Sequence, residues 1–301
     1  GIVFYLTQFA SERDRASTFS MPMIAIPLSV IVGGPLSGWL LALESVIGFS
    51  GWRFMYLAEA VPTVILGLLA LGYFPDRPAQ ARWLSEPEQG WLSQHAARPV
   101  AEHQANDWTV LLQPYVILSG LLWFCLLSGS YGVIFWLPQV ISSLTELSSL
   151  QVGLVGALPW VGVAFGIYLN AAHSDRTGER VWHNAVPLMW MTAAILGIFW
   201  SHSLWTTIPL LTLIAAGTYA SKGPFWALST EWLGANSAAA GLAAINALGN
   251  LTGFGFNWSI GAIREATGSF SLALTPIAAT AALGVVVVLV VGKGQPRTKS
   301  A

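Results

Sequence analysis

The chain has 301 residues, of which 54% are hydrophobic and only 9% charged; its formal net charge is −1 and its mean hydropathy +0.62. Soluble domains usually carry about 25% charge, so this composition excludes an ordinary soluble domain and points to a polytopic membrane protein. A single cysteine, Cys125, excludes an internal disulfide and a cysteine metal cluster.

In chain order, Ile2 to Ala10 is apolar but shorter than the ~20 residues that cross a bilayer. It opens without a basic leader or an initiator Met, and reads as the tail of a cut helix in a fragment. After Glu12-Arg13-Asp14-Arg15, a full span is predicted over Ala16–Leu43, with Pro22, Pro27 and Pro35 inside it. A second span covers Trp52–Phe74. Residues 75–112 break the pattern with eight charged residues and several prolines. Within them Ser85 and Glu88 have capping-box spacing, which predicts a short surface helix. Six further spans follow, near Gln113–Ser142, Gln151–Ala172, Trp182–Trp200, Leu204–Leu228, Ser237–Ile263 and Phe270–Val291, then a basic tail. The expected organisation is residues 1–74 as part of a first helix bundle, 75–112 as a linker, 113–292 as a six-helix bundle and 293–301 as a tail. Two bundles of equal size would put about three more spans ahead of this chain.

Alternating crossings place Arg13, Arg15, Arg77, Arg82, Arg98, Arg176, Arg180, Lys222, Lys293, Arg297 and Lys299 on one side and only Arg53 and Arg264 on the other. The positive-inside rule makes the crowded side, with the linker and the tail, cytoplasmic.

The densest polar patch between spans is His173 to Arg180. Gly178 is free to adopt a positive φ where the chain reverses. The string His173 to His183, HSDRTGERVWH, resembles the loop signature of the major facilitator superfamily of transporters, in the form carried by its anion:cation symporter family. Phthalate, tartrate and hydroxyphenylacetate permeases belong to that family. Ala171 replaces the common Gly, and Glu179 replaces a basic residue of the general motif; Glu179 fits the narrower family. Further matches run in family order. Tyr5-Leu6-Thr7 with Arg13-Asp14-Arg15 is similar to the end of the fourth helix, although Gln8-Phe9-Ala10 departs from the usual Trp-Phe-Pro. Gly34-Pro35-Leu36-Ser37-Gly38 is similar to the fifth, Gly51-Trp52-Arg53 with Glu59 to the sixth, and Gly223-Pro224-Phe225-Trp226 and Asn246 to Asn250 to the tenth and eleventh.

The resemblance implies an all-α membrane protein with the major facilitator fold, an incomplete first bundle and a complete second one. It implies secondary transport of a small organic anion, coupled to a proton or another cation, in a bacterial inner membrane. It also implies that Asp175 and Arg176, with Gly178 and Arg180, latch the loop to neighbouring cytoplasmic helix ends. The other readings are a sugar or drug facilitator or antiporter of the same fold, and a non-transporting membrane protein such as a decayed half-transporter or a sensor.

Site candidates come from residue patterns inside the spans. Asn246, Asn250, Gly253 and Asn257 share one helix face at ~100° per residue. Their amides avoid lipid by hydrogen bonding between helices or by lining a watered cavity; the resemblance favours substrate contact for Asn246 and Asn250, and for Trp226. Tyr131, Phe135 and Gln139, four apart, form an aromatic wall with one amide; Trp136 fits packing or the interfacial belt better. Lys222 falls ~27 Å along its span from Leu204, near the cytoplasmic face. Either it snorkels to headgroups or it attracts an anion. Glu59 is a candidate coupling carboxylate. Gly33, Gly34 and Gly38 partly match an antiporter motif that Val30 and Trp39 interrupt, and suit close helix packing. No phosphate loop or His-Glu-x-x-His pattern occurs, and the five histidines are scattered over loops and span ends. The reading therefore contains no enzyme, cofactor, metal or nucleic-acid partner; lipid is the remaining one.

Overall fold

A computed structural model describes residues 2–7, 9, 14–43, 50–75, 78–95, 108–233 and 238–293, and among them every regular element is helical. The first part comprises α1 (Ile2–Thr7), α2 (Arg15–Ser20), a single 3-10 turn at Met21–Ile24, α3 (Ala25–Ala42) and α4 (Gly51–Tyr73). α2, the turn and α3 run on as the expected first span. The tighter turn contains Pro22, which has no N–H to give an α-helical bond. After α4, α5 (Glu86–His95) follows Ser85, whose N–H and hydroxyl both donate to the Glu88 carboxylate at 2.8 and 2.7 Å. These bonds, the backbone one first, hold the Glu88 carboxyl below its ordinary pKa.

The second part comprises α6 (Pro114–Leu144), α7 (Ser149–Thr177), α8 (Trp182–Ile198), α9 (Leu204–Ala220), α10 (Lys222–Trp232), α11 (Ala238–Thr267), α12 (Phe270–Ala273) and α13 (Thr275–Lys293). α7 starts two residues earlier than expected because Ser148 and Gln151 close a capping box. It also ends later, at Thr177, where Gly178 takes φ 67° as its C-cap. α9 and α10 form one broken span, with Ser221 at the break.

Six helical stretches among the described residues are long and apolar enough to cross a membrane. α8 has only 17 residues, and α11 interrupts its apolar run with asparagine, glycine and serine; both still pack inside the bundle. The core of that bundle includes Leu122, Leu126, Trp160, Ile167, Leu188, Met191, Tyr219, Phe225 and Ile260. Outward, α4 exposes Leu57, Val61, Val64, Leu68 and Leu71, an apolar surface suited to acyl chains.

The two parts meet backbone to backbone. A Cβ on Gly153 of α7 would stand 2.5 Å from the Gly34 carbonyl oxygen of α3, and one on Gly38 would stand 2.8 Å from that of Ser149; at Gly33 nothing lies within 4 Å. Gly34 and Gly38 thus fulfil the packing role read for this stretch, and Gly33 does not share it. The obstacles are backbone atoms, which cannot rotate away. Gly153→Ala is therefore expected to cost about 1–3 kcal/mol by overpacking. The apparent melting temperature of the purified protein checks this, with Gly33→Ala as a silent control; equal melting of the two variants would refute it.

Candidate functional site

The chain reversal at Gly178 returns Arg180 to the side of α7 that carries Ser174 and Asp175. Arg180 Nη1 donates to Asp175 Oδ1 at 2.6 Å and to Ser174 Oγ at 2.9 Å. The two side chains of the ion pair are 4% and 7% exposed. Asp175 also caps α2 in the other half of the chain: Oδ1 accepts from Ala16 N–H at 3.1 Å and Oδ2 from Ser17 N–H at 2.7 Å. One carboxylate so satisfies two orphan donors at a positive helix end and a buried guanidinium. Glu231, near the end of α10, lies 3.6 Å from Arg180 Nε. Within the loop the partner of Asp175 is Arg180 and not the adjacent Arg176. Arg176 is exposed and has no hydrogen bond or ion pair among the described residues, and Arg180 takes the inward role.

Beside this latch the scattered histidines prove less scattered. His173 Nδ1 and His183 Nε2 are 2.7 Å apart, and His183 Nδ1 is 2.8 Å from Glu179 Oε2. Glu179 meanwhile accepts from the N–H groups of Trp182 and His183 at the start of α8. The rings bind each other rather than converging on a point, and among the described residues no group of three or more His, Cys, Asp or Glu is placed to hold a metal.

About nine residues before Glu231, hence ~13 Å along α10, stands Lys222. It is only 6% exposed. Its Nζ lies 3.7 Å above the Tyr219 ring and 5.9 Å from that of Trp123, and it makes no hydrogen bond or ion pair among the described residues. Its side chain stays inside the bundle, and the helical stretch continues past it to Glu231.

Trp123 connects this lysine to the asparagine stripe. It stacks on Phe225 at 4.8 Å, meets Trp226 at 4.8 Å, and donates its indole N–H to Asn246 Oδ1 at 3.3 Å. Asn250 Nδ2 donates to Asn246 O at 2.7 Å, and Tyr131 OH donates to Asn250 Oδ1 at 3.1 Å. The glycines between the asparagines make room for these aromatics: a Cβ on Gly249 would strike Trp123, and one on Gly253 would strike Tyr131. Asn246 and Asn250 are nevertheless exposed, so the seam between α6 and α11 has an open polar edge. Trp123 was not among the expected site residues. It precedes Tyr131 by eight residues, about 80° around α6, so spacing alone gave only a weak signal for it.

Two expected residues, Gln139 and Glu59, stand elsewhere. Gln139 lies about 12 Å beyond Tyr131 along α6, where its Oε1 accepts from Arg264 Nη1 at 3.0 Å. Phe135 is on α6, but its side chain lies outside the described residues. Glu59 accepts the Ser37 hydroxyl across the α3–α4 contact, away from the cluster around Lys222.

A profile of the Major Facilitator Superfamily matches residues 1–257. Two proteins of Agrobacterium vitis, each named "Putative tartrate transporter", are 38% and 35% identical; the alignments cover 98% and 99% of this chain and 69% and 67% of those proteins. A "Quinolone resistance transporter" of Acinetobacter baumannii is 27% identical over 100% of this chain and 70% of its own length. With these relatives and that profile beside an all-helical, membrane-spanning architecture, the chain belongs to the Major Facilitator Superfamily and is an integral membrane transport protein, not an enzyme.

Proposed function

We propose that this chain works in secondary transport of a small organic carboxylate, by alternating access and coupled to a proton or another cation, in the bacterial inner membrane. The observation that carries the reading is Lys222, buried and without an acidic partner among the described residues. A charge removed from water costs several kcal/mol unless paired, and the faces of Tyr219 and Trp123 return only about 0.5–2 kcal/mol. A carboxylate at 4 Å would gain about 4 kcal/mol at an effective dielectric of 20. Trp123, Tyr131, Phe135, Trp226, Asn246 and Asn250 would complete the second-bundle half of the site. Their aromatic walls and amides suit a compact, hydroxylated anion. The names of the Agrobacterium relatives and the anion:cation symporter signature at 173–183 support the same substrate class.

In this reading residues 1–74 belong to the first bundle, 75–112 to the linker, 113–292 to the second bundle and 293–301 to the tail. The basic-residue split supports a cytoplasmic linker and tail. The Asp175–Arg180 latch then closes the cytoplasmic side, and Glu59 is the coupling candidate.

Uptake of labelled tartrate into proteoliposomes tests the reading. Accumulation driven by an inward proton or sodium gradient, with competition by dicarboxylates and none by glucose, is the expected result. Competition by glucose or by a quinolone in place of dicarboxylates would transfer the chain to the sugar or drug reading.

A further inference from the structure

The asparagine stripe does not stop at Asn257. Seven residues on, and so on the same face of α11, comes Arg264, about 27 Å beyond Asn246. The opposite wall of the seam changes in step: Tyr131 faces Asn250, and Gln139 faces Arg264. Arg264 and Gln139 line an open cleft of about 440 Å³ with Pro138, Ser142 and Ser143. α6 and α11 both end here, so the cleft is at the mouth opposite the Asp175 latch. The guanidinium is braced 3.9 Å over Phe270 and 5.9 Å from Trp136. Gln139 takes one of its five donors, and no ion pair with Arg264 exists among the described residues.

We infer that Arg264 and Gln139 form a capture site for the transported carboxylate, separate from Lys222 and reached before it. This rests on the reading of the chain as a carboxylate transporter. Guanidinium is permanently charged and binds carboxylates through two parallel hydrogen bonds. Arg264 is one of only two basic residues assigned to this end, and so provides a local positive field against a sparse background. Phe270 and Gln139 hold its plane, which leaves donors on the cleft side. Asn257, Tyr131, Asn250 and Asn246 then continue a polar seam inward to Lys222. Phosphate groups of lipids offer the same chemistry as a carboxylate, and the experiment separates the two.

Tartrate uptake by the full-length protein is measured in phosphatidylcholine vesicles, with and without phosphatidylglycerol. Arg264→Gln is expected to raise KM about tenfold and flatten its dependence on ionic strength, with the maximal rate held within about twofold. Arg264→Lys should recover part of the loss, which separates lost charge from misfolding, and Gln139→Ala should give a smaller rise. An unchanged KM in Arg264→Gln beside active wild-type protein overturns the capture site alone. An effect confined to phosphatidylglycerol vesicles overturns it in favour of a lipid anchor. Wild-type protein that takes up no carboxylate overturns the transport reading and the capture site together.

Discussion

Lys222→Met is expected to cut carboxylate uptake about 100-fold or more while leaving the protein harder to melt. The first half follows from charge. About 4 kcal/mol of attraction between Lys222 and a bound carboxylate, at an effective dielectric of 20, is worth more than two factors of ten. The second half follows from burial. Methionine keeps the apolar length of the side chain and removes a cation that is 6% exposed and has no acidic partner among the described residues. Replacing a buried charge by an apolar group of similar volume is commonly neutral or stabilising by about 1–4 kcal/mol. Loss of the contacts with Tyr219 and Trp123 gives back about 0.5–2 kcal/mol, so the balance favours the variant. Uptake assays and thermal unfolding of the same preparations decide both halves. A variant that still transports refutes the role in binding. A variant that loses transport and melts earlier would show a lysine needed for folding instead.

Asp175→Asn should act on the cycle rather than on substrate affinity. The amide keeps the shape of the carboxylate and can still accept one helix N–H, but it removes the charge paired with Arg180 at 2.6 Å. Breaking one side of a buried pair typically costs about 3–5 kcal/mol; the retained acceptor and Glu231, 3.6 Å from Arg180, reduce that sum. Even about 1.4 kcal/mol shifts the latched and released states tenfold against each other. The maximal uptake rate should fall by about that factor, with KM and the amount of protein in the membrane unchanged. Arg180→Gln should match it, and the double variant should be no worse than either, because the two residues act as one unit. Arg176→Gln should be silent. Unchanged kinetics in Asp175→Asn would remove the latch.

That contrast between two neighbouring arginines marks where reading the sequence succeeded and where it stopped. The spans and the turn at Gly178 were legible, because apolar length and a glycine are local properties. Which arginine faces Asp175 was not. α7 continues through Thr177, so residues 175 and 176 diverge by ~100°. The partner comes from beyond the reversal. For Lys222 the sequence left two readings open, because a flexible stem permits snorkelling, and its packing on Tyr219 and Trp123 is a property of the fold. Gln139 shared a face with Tyr131 but not a depth, and its companion Arg264 is 125 residues away. Trp123, His173 and His183 depend equally on partners distant in sequence or across a turn.

The cap that Asp175 places on α2 has a consequence for observing the cycle. Two amide protons at the start of one helix are held by a side chain from the other half of the chain. While the grip lasts, Ala16 and Ser17 are shielded from solvent deuterium; when it opens, their exchange should accelerate without any unfolding of α2. Mass spectrometry of that one short peptide would then count latch openings directly, in unlabelled protein and with no introduced probe. Substrate or ion gradients that change the cycling rate would appear as a change in two deuterons.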